Sequence, residues 1–226
     1  MTEAPPPYPR VAHLVGGRGT RDDLVLGASE RDALLAGPVI LEEKLDGANV
    51  ALWADDHQVK VALRSGEGAS DRAGQLGPLR AWVGERTDPL RSLLTDGTAA
   101  YAEWLLLTHT VAYDRLPAYL VVLDLWHPVT GFVAGTERDR RCRAAGLAHA
   151  PEVWKGTPRT VEEVERHLGT SDFGHEEMEG LVVRSADGRS PRLAKLLRPG
   201  FGRIDDDAWA GGRPRNQLAD REASWH

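Results

Sequence analysis

The sequence predicts an α+β domain built on antiparallel sheets, and three observations favour this class. Strand-like segments follow one another between residues 38 and 65, helical periodicity dominates the middle of the chain, and strand-like segments return between 180 and 197. Strands grouped in this way do not fit a doubly wound fold, in which strands and helices alternate. With 226 residues and 41% hydrophobic content, the chain can bury a core of this kind.

The first third of the chain contains an arm, a helix and three strands. Residues 1–20 are rich in Pro and then in Gly, so we expect an extended surface arm. Ser29 with Asp32 is typical of a helix start, and Gly37-Pro38 ends that helix. An antiparallel meander is expected to follow, with strands at 38–43, 48–54 and 58–65.

Helices fill much of the middle of the chain. The apolar period from Pro78 to Leu94 predicts one helix that is broken at Pro89 and covers one sheet face. Thr136 and Thr160 each begin a further helix, because an acidic residue follows each of them three positions later. Four more strands are expected at 100–107, 118–126, 180–185 and 191–197.

Charge and composition restrict the partners and the compartment. The net charge of −6 argues against nucleic-acid binding over a broad surface, so such contact is expected to be local and weakened by salt. No apolar run reaches the roughly 20 residues of a membrane span, and the first residues lack a signal-peptide layout. The single cysteine, Cys142, allows no internal disulfide, which is typical of a reducing compartment. We expect a cytoplasmic protein with no membrane partner.

Lysine is scarce in this chain. Of its 28 basic residues, all but four are Arg. A sequence that uses Arg at almost every cationic position raises, at each Lys, the question whether an amine is required rather than a charge. The four lysines are Lys44, Lys60, Lys155 and Lys195.

The most informative stretch runs from Glu42 to Asn49 (EEKLDGAN). Lys44 ends an apolar strand and is followed by Asp46 and by Gly47, which permits a turn. Burial and neighbouring cations both disfavour the ammonium form, so this amine is expected to act as a nucleophile near neutral pH. The alternative is structural: a hairpin with an Asp-Gly turn, in which Lys44 is an edge charge with its head in water.

Further segments in a fixed order weigh against the structural alternative. Each of them alone has an ordinary explanation as a strand end or a turn. Lys195 is the hardest to explain in that way, because it lies in an apolar strand where an unpaired ammonium would be costly. The segments are Arg64-Ser65-Gly66, Ala102-Glu103-Trp104, Tyr119 to Leu125, Glu179-Gly180-Leu181-Val182-Val183-Arg184 and Leu193-Ala194-Lys195.

Together with Lys44-Leu45-Asp46-Gly47, these segments resemble the ordered motifs of the covalent nucleotidyltransferase superfamily of ligases and capping enzymes. The chain is most similar to ATP-dependent RNA ligases of the RNA ligase 2-like branch, and Tyr113-Asp114-Arg115-Leu116-Pro117 is similar to a linker of the RNA-joining members. The resemblance extends from about Tyr8 to Phe201. It implies a nucleotidyltransferase (adenylyltransferase) domain of antiparallel sheets flanked by helices, of the ATP-grasp and DNA-ligase-like type.

The implied organisation has three parts. An extended N-terminal arm covers residues 1–20, the nucleotidyltransferase domain covers 21–201, and a C-terminal tail covers 202–226. We expect no oligonucleotide-binding barrel of the kind that DNA ligases and capping enzymes carry.

The resemblance also implies chemical roles. Lys44 attacks the α-phosphorus of ATP and forms a lysyl-AMP phosphoramide, while Lys195 offsets the charge that develops on the α-phosphate. Glu179 helps to hold Mg²⁺ or Mn²⁺. AMP then passes to an RNA 5′-phosphate, and an RNA 3′-hydroxyl displaces it to seal the strand. The expected ATP-binding residues are Glu43, Lys44, Asp46, Gly47, Asn49, Arg64, Glu103, Val183, Lys195 and Arg198.

Two positions depart from the motifs of that family. The strand before Asp124 lacks the aromatic residue that usually lies under the adenine, so aliphatic side chains are expected to enclose the base, Val182 or Val183 among them. Leu197 stands where a second lysine is common, and Arg198 is expected to supply that charge to the β- and γ-phosphates.

An Arg-rich segment in the expected helix after Thr136 has two interpretations. It forms either a patch that contacts RNA phosphates or an ordinary solvated helix face. Its members are Arg138, Arg140, Arg141 and Arg143.

Four other functions remain open from the sequence. A DNA-nick ligase or a capping enzyme would share the motifs but usually has the additional barrel domain. An enzyme that adenylates RNA ends would need an accessory protein for sealing. A non-catalytic nucleic-acid-binding relative would have lost reacting residues, whereas Lys44, Glu179 and Lys195 are all present. The physiological RNA and the oligomeric state do not follow from the sequence.

Overall fold

Two five-stranded sheets form the frame of the molecule. The computed structural model describes residues 4–17, 24–55, 58–63, 74–186, 192–202 and 212–220. The strands are β1 (Ala12–His13), β2 (Val39–Lys44), β3 (Ala48–Ala54), β4 (Val59–Leu63), β5 (Ala99–Trp104), β6 (Leu120–His127), β7 (Gly131–Phe132), β8 (Glu152–Gly156), β9 (Gly180–Ser185) and β10 (Leu193–Leu197). The helices are α1 (Ala28–Leu35), α2 (Leu76–Glu85), α3 (Thr87–Leu93), α4 (Gly135–Ala144) and α5 (Val161–Glu165), with a 3₁₀ turn at Thr95–Gly97.

The two sheets confirm the α+β class. The first has the order β1-β10-β9-β2-β8 and the second β4-β3-β5-β6-β7. Every neighbouring pair is antiparallel except β1 with β10, which is parallel.

The predicted meander of the first three long strands is only half correct, because β3 pairs with β4 as expected but β2 does not pair with β3. β2 pairs with β8 and β9, whereas β3 pairs with β4 and β5, so the chain crosses from one sheet to the other at Asp46-Gly47. The hairpin alternative for this stretch is therefore excluded. The physical reason for the crossing is the burial of β2. Residues 39–43 are buried on both faces, so both edges of this strand need hydrogen-bonding partners, and distant strands supply them.

Helices α1 and α5 cover one face of the first sheet. Leu34 and Leu35 of α1 and Val164 of α5 pack in one apolar cluster with Leu41 of β2 and Val183 of β9. The predicted start of α5 is confirmed by its cap, because the Thr160 hydroxyl accepts a hydrogen bond from the Glu163 amide at 3.3 Å.

Helices α2 and α3 cover one face of the second sheet, where Leu79, Trp82 and Leu90 pack with Leu52 and Trp104. Two helices replace the single broken one that the apolar period predicted, and the break falls at Arg86. Pro89 is instead in the first turn of α3. A proline is accommodated there because the first amides of a helix have no partner within it.

The arm and the tail both take part in the fold. β1, inside the segment predicted to be a surface arm, pairs with β10. In the tail, Asn216 is buried: its Oδ1 accepts from Thr108 Oγ1 at 2.8 Å and from the Tyr113 amide at 3.0 Å, and its Nδ2 donates to the Leu105 carbonyl at 2.8 Å. None of the helices in the described ranges combines the length and apolar character that crossing a bilayer requires.

Replacing Asn216 with Ala tests how firmly the tail is attached. We expect the free energy of unfolding to fall by about 2–4 kcal/mol, because three side-chain hydrogen bonds disappear and their partners stay buried. Urea unfolding followed by tryptophan fluorescence measures the change. Arg215→Ala, at the exposed neighbouring position, is the matched control and should change stability by less than about 0.5 kcal/mol. Equal effects of the two substitutions would contradict the role of Asn216.

Candidate active site

A cavity of about 840 Å³ lies between the two sheets. Glu42 and Lys44 of β2, Val182 and Arg184 of β9 and Lys195 of β10 line it from the first sheet. Asn49, Leu63, Glu103 and Leu123 line it from the second. Side chains alternate along a strand, so β2 places Glu42 and Lys44 on the cavity face and Leu41 in the apolar core behind it.

An ion pair holds Lys44, one of the two lysines that line the cavity. Lys44 Nζ donates to Glu179 Oε2 at 2.7 Å, and Glu179 is almost fully buried. Their approach follows from strand register, because Gly180, the neighbour of Glu179, is the Cα partner of Lys44. A Cβ atom at position 180 would lie 2.1 Å from the Leu196 carbonyl oxygen, so only glycine allows β9 and β10 to pair here.

Glu103 forms a second carboxylate site opposite Lys44. Its Oε1 accepts from the Gly47 amide at 3.1 Å, and its Oε2 accepts from Asn49 Nδ2 at 3.4 Å. Gly47 approaches closely, since a Cβ there would lie 2.6 Å from the Trp104 carbonyl oxygen. Burial raises the pKa of Glu103 to about 7, although the charge of Lys44 and the Asn49 hydrogen bond lower it.

Lys195 reaches the same cavity from β10. It is the Cα partner of Val182 on one side and of His13 on the other. The structure thus brings together four of the residues that the motifs single out, which are Lys44, Glu103, Glu179 and Lys195.

Two expected nucleotide-binding side chains face away from the cavity. Asp46 Oδ2 accepts from the Thr110 and Val111 amides at 2.6 and 2.9 Å, which fixes a neighbouring loop. The Glu43 carboxylate accepts from Ser171 Oγ at 2.6 Å and from the Asp172 amide at 2.9 Å, so only its backbone can line the site. Burial raises the pKa of Glu43. The geometry gives both side chains anchoring contacts behind Lys44, and the binding of ATP by these two residues stays a prediction.

Three other expected binding residues have different outcomes. Val183 is packed in the apolar core, and the neighbouring Val182 lines the cavity in its place, because adjacent strand residues point to opposite faces. Arg198 does not line the cavity and lies 3.5 Å from Glu177 Oε2, so its assignment to the phosphates is not supported by its position. Arg64 lies outside the described residues.

A buried charge network that the motifs did not indicate forms one end of the cavity. Arg184 pairs with Asp124 at 2.7 Å and with Glu42 at 3.0 Å, and Arg138 pairs with Glu42 at 2.6 Å. The Tyr8 hydroxyl donates to Asp124. Burial alone would raise the pKa of Glu42, but the two guanidinium groups lower it overall. The sequence contained one signal for the location of Glu42. Side chains alternate along a strand, so Glu42 is on the same face of β2 as Lys44.

The four arginines of α4 lie in different environments, and their contact with RNA stays a prediction. Arg138 is buried in the charge network, and Arg141 donates to the Leu93 carbonyl at 2.6 Å. Arg140 is exposed but forms a two-point contact with Glu137. Arg138 and Arg141 therefore attach the helix to the sheet and to the preceding helix, whereas Arg140 and Arg143 are exposed.

A divalent cation would find only part of its ligand shell here. No cluster of three or more His, Cys, Asp or Glu residues with suitable geometry occurs within the ranges that the structure describes. Glu179 could supply one oxygen ligand, and a hard cation such as Mg²⁺ would complete its shell with water and substrate phosphates, which is its usual binding mode.

Comparisons with known proteins agree with this geometry. A model of the RNA ligase family matches residues 37–197. Three structures of an RNA ligase from Naegleria gruberi are similar: the apo form of a variant has a TM-score of 0.54 and 18% sequence identity over 72% of this chain and 50% of that one. The enzyme with PPi has a TM-score of 0.55 and 15% identity, over 84% of this chain and 57% of that one. A variant with ATP and Mn has a TM-score of 0.57 and 15% identity, over 86% of this chain and 62% of that one. At these identities the likeness establishes the fold alone, and the chain spans only 50–62% of those proteins. A sequence search of curated proteins found no match.

Glu103 predicts a specific pH dependence of stability. Its pKa rises from 4.5 to about 7 on folding, so the folded protein keeps a proton that the unfolded chain loses between these values. The contribution of Glu103 to the free energy of unfolding therefore decreases as the pH rises through this window, by on the order of 2 kcal/mol. Glu103→Gln should remove that part of the pH dependence in urea unfolding at pH 5 and pH 8.

Glu152→Gln, at an exposed position of β8, is the control and should leave the pH dependence as in the wild type. The assignment of Glu103 fails if its substitution also leaves the dependence unchanged.

Proposed function

The chain belongs to the RNA ligase family, and on that premise we propose that it is an ATP-dependent RNA ligase that carries AMP on Lys44. The observation that carries the proposal is the position of the Lys44 amine, 2.7 Å from a buried carboxylate and in a cavity lined by a second lysine. The volume of about 840 Å³ is in the range of small-molecule sites and accommodates a nucleotide.

The first step would take place at Lys44 Nζ. This nitrogen loses a proton and attacks the α-phosphorus of ATP, forming an N–P bond while the P–O bond to pyrophosphate breaks. Glu179 Oε2 accepts the hydrogen bond from the amine, so the departing proton has an acceptor in place. Mg²⁺ or Mn²⁺ held with Glu179 as one ligand would favour the neutral amine and offset the phosphate charge.

Other residues would bind and orient the nucleotide. Lys195, which lies on the same sheet as Lys44, would offset charge on the α-phosphate as it develops, because its side chain already lines the cavity before the reaction. Glu103 and Asn49, which are already hydrogen-bonded to each other, would accept from and donate to the ribose hydroxyls. Val182 and Leu123 approach from the two sheets and would enclose the base between aliphatic side chains.

Two further steps would complete ligation. The RNA 5′-phosphate attacks the phosphorus of lysyl-AMP and releases Lys44, and an RNA 3′-hydroxyl then displaces AMP as the phosphodiester forms. RNA binding is expected to be local to this cavity, since the chain carries a net charge of −6 and two of the four arginines of α4, Arg138 and Arg141, are engaged in the fold.

Lys44→Arg should abolish covalent labelling by ATP. A guanidinium keeps its proton and cannot attack, so no radiolabelled band should remain after denaturing electrophoresis of protein incubated with α-labelled ATP and Mg²⁺ or Mn²⁺. The matched control is Lys60→Arg, a half-exposed lysine on β4, which should label as the wild type does. Persistent labelling of Lys44→Arg would contradict the assignment of the nucleophile.

Lys195→Ala should form lysyl-AMP at least about 100-fold more slowly than the wild type while remaining folded. The side chain is at a cavity wall, so its loss removes a charge without opening a large void in the core. Rapid-quench measurement at saturating ATP gives the rate, and circular dichroism checks the fold. Lys155→Ala, at an exposed site on β8, is the control. A wild-type rate for Lys195→Ala would make Lys195 a structural residue.

Sealing should favour an RNA 3′-hydroxyl end over a DNA end. Recognition close to the reacting ends can sense the ribose 2′-hydroxyl, which distinguishes RNA from DNA. Sealing rates on one nicked duplex, prepared with RNA or with DNA at the 3′ side, compare the two directly. Equal rates would favour a DNA-nick ligase. Accumulation of adenylated 5′ ends without sealing would indicate that an accessory protein or a further domain completes the reaction.

A further inference from the structure

The N-terminal arm, residues 4–11, forms part of the cavity wall. Five consecutive arm residues line the same cavity as Lys44 and Lys195, and they are Pro7, Tyr8, Pro9, Arg10 and Val11. The arm enters the first sheet directly afterwards, where β1 pairs with β10 and brings His13 beside Lys195. An element that was expected to be a surface tail therefore takes part in the site.

Tyr8 fixes the arm to the second sheet. Its hydroxyl donates to Asp124, and its ring lies 4.8 Å from that of Tyr101 between centroids. The Tyr101 hydroxyl in turn donates to the Pro6 carbonyl at 2.6 Å. Burial and the charge of Asp124 raise the pKa of Tyr8, so the hydroxyl keeps the proton that it donates. Asp124 is itself held by Arg184, which ties the arm to the buried charge network.

Arg10 differs from other cations of the cavity in its partners. Lys44 is paired with Glu179, and Arg184 is paired with Asp124 and Glu42. Arg10 is exposed at the cavity wall, and no carboxylate of the described residues forms an ion pair with it. A guanidinium group in that situation has its full set of donors available for an anion.

We propose that Arg10 binds a substrate phosphate in this cavity and that Tyr8 is the positioning residue that holds it there. The proposal rests on the proposed function, because the cavity is taken to be the ATP site. A guanidinium matches phosphate oxygens in two-point contacts, and the anchored arm lowers the entropy cost of holding it in place. Arg10 thereby takes the role that the sequence assigned to Arg198.

The phosphate could come from two substrates of the same reaction. The β- and γ-phosphates of ATP enter the cavity in the first step, and the 5′-phosphate of RNA enters it in the second. The chemistry of recognition is identical in the two cases, so binding measurements with separate probes distinguish the sources. Because these measurements need no turnover, they remain informative even if Lys44 is never adenylated.

Calorimetric titration of Arg10→Ala with three probes tests the proposal: ATP, inorganic pyrophosphate and 5′-phosphorylated RNA. A 5′-hydroxyl RNA of the same sequence is titrated as the reference for the third probe. Loss of a charged hydrogen-bonding partner should weaken binding by about 10-fold or more. Weaker ATP and pyrophosphate binding identifies the nucleotide as the source. A loss confined to 5′-phosphorylated RNA identifies the RNA end. Arg80→Ala, at an exposed position of α2, is the matched control and should bind every probe as the wild type does.

Two more variants separate binding from mere packing. Arg10→Lys keeps the charge and should recover part of the affinity that Arg10→Ala loses. If Arg10 had only a structural role, restoring the charge would not be expected to restore affinity. Tyr8→Phe keeps the ring and removes the bond to Asp124, so it should weaken the same probe by a smaller factor without unfolding the protein. The proposal is overturned if Arg10→Ala binds all three probes as tightly as the wild type, or if Arg80→Ala weakens them equally.

Discussion

The alternation of side chains along β2 is the constraint on which the site depends. One face of this strand carries Glu42 and Lys44 into the cavity, and the other carries Leu41 into the apolar core and Glu43 to its anchor on Ser171. A slip of one residue against β9 would exchange the two faces and bury the amine among apolar side chains. Gly180 allows β9 to pair closely with β10 on its other side, because any larger residue there would strike the backbone of β10.

The side chains of Glu43 and Asp46, on either side of Lys44, are also fixed by hydrogen bonds. Asp46 is hydrogen-bonded to the loop that contains Thr110, and Glu43 is bonded to the loop that contains Ser171. Lys44 thus lies between two anchored acids, and its own side chain is aligned by Glu179. If Lys44 is the nucleophile that we propose, it would lose little conformational freedom on reacting, which is the physical basis of catalysis by orientation.

Local pattern was sufficient to predict much of the molecule. The α+β class, most of the long strands and the convergence of Lys44, Glu103, Glu179 and Lys195 all followed from strand periodicity and ordered motifs. Strand pairing could not be predicted from local pattern, because the partners of β2 lie more than 100 residues away along the chain. An Asp-Gly sequence also fits a crossing between two sheets as well as it fits a hairpin turn. The buried network was missed for a related reason: the partners of Glu42, on α4 and β9, are set by tertiary packing. Net charge did not predict the local charge of the cavity. The chain is acidic overall, but several cationic side chains line the cavity walls.

The central claim is that Lys44 and Glu179 act as a pair in the chemical step. Glu179→Gln keeps the shape of the side chain and removes its charge, and Glu177→Gln, at an exposed neighbouring position, is the matched control. Single-turnover formation of lysyl-AMP at saturating ATP and metal measures the step itself. The account predicts that Glu179→Gln is at least about 100-fold slower than the wild type and that Glu177→Gln is unchanged. A rate for Glu179→Gln within about twofold of the wild type would contradict it.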